Sequence, residues 1–228
     1  SEKYYSEKVI RMPNCYQCND DKKEICKEPV SRKDFKLPET GFIFTCFNAN
    51  KKITIKEFDI WMRLLNQIKG SVLWLYKSNR WAAENLFNEA EKRNIDRSRI
   101  IFADPLPLNK HLARHSLGDL GLDTFNYNGH TTTSDALWAG LPVLTKTGKS
   151  FAARVSTSIL KALGVPELIT FNEREYEEKA IQLATQSDEL MRIKAKIIKS
   201  RNQSSLYNSK LFTEDLEKQF RRLVSKNN

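Results

Sequence analysis

No apolar run in the 228-residue chain approaches the roughly 20 residues that a membrane-spanning helix needs. No Gly-x-Gly-x-x-Gly is present, which disfavours a nicotinamide or flavin dinucleotide site. The phosphate-binding Gly-x-x-x-x-Gly-Lys-[Ser/Thr] is missing too: Gly148-Lys149-Ser150 ends like it, but the preceding glycine, Gly140, lies too far upstream. No Asp-x-Asp metal pair occurs. The N-terminus has no apolar signal core and begins with Ser, so a fragment of a longer, soluble cytoplasmic polypeptide is expected. Cysteine is scarce, at Cys15, Cys18, Cys26 and Cys46. Cys15 and Cys18 have zinc-knuckle spacing, yet a second pair or a nearby His is lacking and Cys26 is the one further candidate ligand. Reduced thiols and no metal are the preferred reading.

What is present describes a globular chain. Hydrophobic residues make up 40%, enough for a core, and charged residues 29%, enough for a solvated surface. The length suits one large domain, alone or with a small appendage. Net charge is +10, and residues 190–228 hold ten Lys/Arg against three Asp/Glu, so +7 of it sits in the C-terminal tail. No nucleic-acid motif accompanies that tail, and solvated helix faces are preferred over a nucleic-acid or membrane partner.

Residues 1–40 are polar, with three prolines and most of the cysteines, and read as an extended arm or interlobe linker. From residue 41 to 228 the pattern changes. Short apolar runs at Phe42–Phe47, Ser71–Tyr76, Arg99–Ala103, Leu120–Leu122, Pro142–Thr145 and Leu168–Thr170 read as strands buried on both faces. Amphipathic stretches at Ile55–Ile68, Trp81–Arg93, Asn109–Ser116, Thr132–Trp138, Phe151–Leu163 and Glu173–Thr185 read as helices between them. Two more helical segments follow, 188–203 and Thr213–Val224, with Thr213 as the expected N-cap. This alternation predicts an α/β fold, a doubly wound parallel sheet in which ligands bind at the C-terminal ends of the strands. Trp61, Trp74, Trp81 and Trp138 read as core or interface packing residues.

Three segments are candidates for chemistry. After the fourth strand, Asn128-Gly129-His130-Thr131-Thr132-Thr133 leads into a helix whose free N–H groups and dipole suit a phosphate or diphosphate, with Thr131 and Thr132 adding hydroxyls. Asp135, near the end of the first turn, would repel a phosphate and fits better as an acceptor for sugar or ribose hydroxyls. Ordinary capping explains the same residues. After the first strand, Lys51 or Lys52 is placed to neutralise a leaving diphosphate, or is simply a solvated loop lysine. After the third strand, His111 and Arg114 share a helix face, able to stack on a base and bond its edge, or to be a plain surface pair.

In this order the segments resemble one family: Phe47-Asn48 with Lys52-Ile53, Ser71-Val-Leu-Trp-Leu75, Arg99-Ile-Ile-Phe102, His111-x-x-Arg114, Leu122-Asp-Thr124, Gly129-His-Thr-Thr-x-x-Asp135-x-Leu-Trp-Ala-Gly140, then Ser205-Leu-Tyr-Asn208 and Phe212-Thr-x-x-Leu-Glu217. The chain resembles the C-terminal catalytic lobe of bacterial O-GlcNAc transferases and SPINDLY proteins, glycosyltransferase family 41, from about residue 40 to about 222, with arm elements at Tyr5–Lys8 and Asn14–Gln17 also similar. The resemblance implies a two-lobed GT-B enzyme with this chain as donor lobe, UDP-GlcNAc as donor, Ser/Thr of proteins as acceptors, inversion of configuration and no metal. It implies an N-terminal lobe and TPR repeats upstream, and inactivity of the lobe alone. By matched position, Lys52 assists the leaving diphosphate, Gly129, His130, Thr131 and Thr132 hold it, Asp135 binds ribose, and His111, Arg114 and the Leu106 backbone hold uracil. Ala49 and Leu108 depart from the Gln and Lys of animal enzymes. The competing readings are a UDP-sugar transferase with another donor or acceptor, such as glucose to Asn, and a non-catalytic basic module for an acidic partner.

Overall fold

The computed structural model describes residues 2–225. Its centre is a six-stranded, all-parallel sheet in the order β3-β2-β1-β4-β5-β6. The strands are β1 Ile43–Cys46, β2 Val72–Tyr76, β3 Ile100–Ala103, β4 Leu120–Leu122, β5 Val143–Lys146 and β6 Ile169–Thr170. Between and after them run α1 Ile55–Gln67, α2 Arg80–Glu91, α3 Leu108–Arg114, α4 Thr131–Trp138, α5 Val155–Leu163, α6 Glu173–Thr185, α7 Ser187–Arg201 and α8 Ser209–Val224. Each expected strand is found within about two residues of its sequence position, because a run apolar at every residue is stable only with both faces covered.

Those faces are visible in the packing. Phe44, Leu73 and Leu75 join one cluster with Phe58, Trp61, Met62 and Leu65 of α1, the apolar stripe of an amphipathic helix. Ile43, Val72 and Trp74 point to the other side, where Phe47, Phe35 and Leu37 cover them. Among its described residues the arm has no helix or strand beyond two short 3-10 turns, yet it places Cys15 in the first cluster and Leu37 in the second.

Local signals fix several boundaries. Thr54 and Glu57 form a capping box on α1, Asn172 accepts from the Glu175 N–H at the start of α6, and Gly164 ends α5 at φ 86°. One expectation is corrected and one is narrowed. Asn208, not Thr213, caps the last helix, and Thr213 lies one turn inside it with its hydroxyl donating to the Ser209 carbonyl. Trp81 is 65% exposed with the Arg80 guanidinium over its ring, whereas Trp61, Trp74 and Trp138 are buried as expected. Among the described residues no helix is long and apolar enough to cross a membrane.

Candidate functional site

The chain leaves β1 toward β2 on one side and enters β4 on the other, so the β1/β4 junction is where the strand order reverses. Such a junction opens a crevice at the carboxyl ends of the strands. Two loops meet there. After β1, Asn48 is buried, and a 3-10 turn over Asn50–Lys52 points Lys52 across the gap. After β4, residues 123–130 fold back on themselves before α4 begins.

Asp123, fully buried at the tip of β4, organises this second loop. Its Oδ1 accepts from the Thr124 N–H (2.9 Å), the Gly129 N–H (2.7 Å) and the Asn48 amide (3.0 Å), and its Oδ2 accepts from the Thr145 hydroxyl (2.7 Å). Burial raises its pKa, and the bonds from Gly129, Thr145 and Asn48 only partly oppose that shift. Asn48 links the loops: its amide also donates to the Thr124 hydroxyl, and its carbonyl accepts from the Thr132 hydroxyl.

Gly129 is required by this closeness. A Cβ there would lie 2.7 Å from Thr132 Oγ1, 2.9 Å from Asn48 Oδ1 and nearer still to Thr133 Oγ1. The Thr133 hydroxyl is committed to Ser156 (2.9 Å), which in turn donates to the Gly129 carbonyl. Thr131 is exposed at the first position of α4, and the preceding His130 gives that turn no side-chain cap.

Lys52 is half-buried. Its ammonium donates to the Asn128 carbonyl at 2.9 Å and sits 4.0 Å from the centre of the Tyr127 ring. Burial lowers its pKa, and Asp123 counteracts that shift. His130 stacks on Tyr127 at 4.9 Å and lies 2.9 Å from the Tyr16 hydroxyl through Nδ1, while its Nε2 is buried without a partner. Burial, with Lys52 nearby, keeps this imidazole below the usual histidine pKa.

His111 and Arg114 form a second group behind the tip of β1. The Arg114 side chain is not on the surface: the residue is 1% exposed, one guanidinium nitrogen donates to the Asp104 carbonyl at 2.6 Å, and another faces His111 Nδ1. The His111 ring packs on Phe47 at 5.3 Å, and burial pushes its pKa down to about 3. This burial overturns the plain surface-pair alternative for the two residues. Arg114 directs two guanidinium nitrogens at the Asp104 carbonyl and the His111 ring, while its Nε is buried without a partner. Leu106 is exposed on the loop before α3 and lines an open cleft with Arg114, Ala103 and Asp104.

Asp135 has a partner that the local motif did not show. Its carboxylate is paired with the arm residue Lys23 at 2.6 Å, each side chain only 9% exposed. The structure thus brings Lys52, Gly129, His130, Thr131 and Thr132 to one crevice, with His111 bordering it across Phe47, and sets Asp135 one turn deeper under the arm.

The signature of glycosyl transferase family 41 matches residues 18–216. The chain belongs to glycosyltransferase family 41. The family match begins at residue 18 and so takes in part of the arm, where the motifs had already suggested similarity. A UDP-N-acetylglucosamine–peptide N-acetylglucosaminyltransferase of Caenorhabditis elegans is 37% identical over 188 residues, 82% of this chain and 16% of its own length. A probable enzyme of the same name from Arabidopsis thaliana, SEC, is 34% identical over 95% of this chain and 23% of its own length. Among solved structures, a Thermobaculum terrenum O-GlcNAc transferase mutant superposes with a TM-score of 0.87 at 27% identity, covering 97% of this chain and 42% of its own. The family 41 chain therefore has the Rossmann-like fold of a GT-B glycosyltransferase lobe, and it spans about a fifth of the length of these curated relatives.

Motif reading missed Asn48, Asp123, Tyr16 and Lys23. Asn48 and Asp123 lie inside quoted segments, and their position at the tips of β1 and β4 was the available signal. For Tyr16 and Lys23, 114 and 112 residues from their partners, local pattern carried none.

Proposed function

We propose that this chain is the donor-binding lobe of an inverting O-GlcNAc transferase-type enzyme, taking UDP-GlcNAc and passing the sugar to Ser/Thr hydroxyls of proteins. The observation that carries this reading is the meeting of Lys52 and the Gly129–Thr132 turn at the β1/β4 junction, in a chain whose relatives are named for that reaction. The uncapped first turn of α4 offers N–H groups and positive dipole to a diphosphate. The Lys52 ammonium, already partly desolvated, faces the same crevice.

The mechanism is a single displacement. The acceptor hydroxyl oxygen attacks the anomeric carbon, its proton passes to water or to the departing phosphate, the bond to the β-phosphate oxygen breaks, and negative charge grows on departing UDP. Lys52 and the α4 amides stabilise that charge, so the reading requires no metal. His111 and the Leu106 backbone meet the uracil. Arg114 acts behind His111, and the free side of Asp135 accepts the ribose hydroxyls. The other lobe and TPR repeats belong to the remainder of a longer, cytoplasmic polypeptide, and the lobe alone is inactive. The basic-module alternative loses ground because Lys194 and Lys196 of α7 are already paired with Asp119 and Glu167.

The test is transfer and UDP binding by the intact polypeptide. Lys52→Met is expected to lower kcat about 100-fold, the scale of losing one electrostatic stabiliser of a leaving group, with a smaller change in UDP affinity. Absence of UDP binding at millimolar ligand, or an unaltered kcat in the variant, overturns the reading. A donor panel that transfers glucose but not GlcNAc replaces the sugar.

A further inference from the structure

Asp135 raises an electrostatic problem. It lies four residues after Thr131 in α4, so the two share a face. Helical side chains lean toward the N-terminus, which tilts this carboxylate toward the turn that receives the diphosphate. A buried anion there cancels the attraction of the free N–H groups and repels the ligand.

The structure supplies a counter-charge from the arm. Lys23 Nζ lies 2.6 Å from Asp135 Oδ1. The arm is held at this point by several bonds: the Lys23 carbonyl accepts from the Trp138 indole at 3.0 Å, Asn19 accepts from the Ser134 hydroxyl at 2.6 Å, and the Asn19 amide donates to the Leu206 carbonyl at 3.3 Å. Lys23 is thus fixed by its own backbone against α4, and its ammonium is directed at one oxygen of one carboxylate.

We infer that Lys23 is a positioning residue for the donor: it neutralises Asp135 so that the α4 N-terminus accepts a diphosphate, and leaves the second carboxylate oxygen for the sugar hydroxyls of the nucleoside. This inference rests on the donor-lobe reading. It assigns to residues 19–23 a part in nucleotide affinity that no contact with the nucleotide is needed to exert.

The experiment measures binding of uridine, UMP and UDP to the intact polypeptide by calorimetry and ligand-observed NMR. The quantity read is the ratio of UDP to uridine affinity, which cancels a general loss of fold or of ribose contacts. Lys23→Met should lower that ratio about tenfold, with UMP intermediate, because the exposed repulsion grows with phosphate charge. Lys23→Arg, which keeps the cation, should restore it. Asp135→Asn should hold the ratio at or above wild type, and Lys23→Met with Asp135→Asn should return it to within about threefold of wild type, since the carboxylate is gone. The double variant leaves no uncompensated buried charge of either sign, so it remains informative if either single variant folds poorly. Equal losses for uridine and UDP, or no rescue in the double variant, overturn the inference. Failure of the wild-type polypeptide to bind UDP overturns the donor-lobe reading instead.

Discussion

At the scale of single residues, the pair His111 and His115 shows what burial does to a group that titrates near neutrality. His115 is buried behind Phe47, and its Nδ1–H donates to the His111 carbonyl at 2.7 Å. Burial pushes its pKa down to about 4, and Arg114 adds to the effect. Both imidazoles are therefore neutral in the folded protein at pH 7, and in the unfolded chain they return toward 6.5. Between these values the unfolded chain binds more protons, so stability falls as pH drops from 6.5 toward 4. One such group contributes a slope of up to about 1.4 kcal/mol per pH unit. Urea denaturation at about pH 7 and about pH 5 should show this loss, and His115→Gln, which keeps a donor for the His111 carbonyl, should flatten it. An identical slope in the variant would place the acid sensitivity elsewhere.

At the scale of elements, the crevice is made by two loops that a single amide ties together. Asn48 is both donor to Asp123 and acceptor from Thr132, a combination a carboxylate lacks. Asn48→Asp puts two buried carboxylates about 3 Å apart, where both cannot stay ionised. The variant should lose roughly 2–4 kcal/mol at neutral pH, and the loss should shrink as pH falls and the pair takes up a proton. Chemical denaturation across that range checks it, and a pH-independent cost would show that the amide's role is steric. The strands and the α4 start were legible in the sequence because they depend on neighbours in the chain: runs of apolar residues, a glycine before three threonines. The burial of Arg114 was not, since the spacing of His111 and Arg114 says that they share a face of α3 but not that the face is turned inward on Phe47. Thr213 misled for the same reason: a hydroxyl at a helix start and one a turn inside look alike until the carbonyl it bonds is known.

At the scale of the whole molecule, the arm is the part with the least regular structure and the longest-range ties. Residues 13–25 run along α4 and α5 and reach the start of α8, where Asp21 accepts from the Ser209 hydroxyl at 2.9 Å. Tyr16 meets His130 and Phe151 at the mouth of the crevice, and Lys23 closes over Asp135. We propose that this segment is an integral part of the fold, tying the arm to α8 around α4. Deleting residues 2–24 then removes a half of a buried ion pair and leaves the Trp138 indole and the Ser134 hydroxyl without partners. That should cost about 3 kcal/mol or more and lower Tm by roughly 6–12 °C for a domain of this size. Deleting residues 2–8 breaks only the exposed pair of Glu2 with Arg11, so its Tm should stay within about 2 °C of the parent. Thermal denaturation of the two deletions side by side separates the cases: equal, small shifts would make residues 9–24 a passenger on the lobe, whereas a large shift confined to the longer deletion makes them part of its fold.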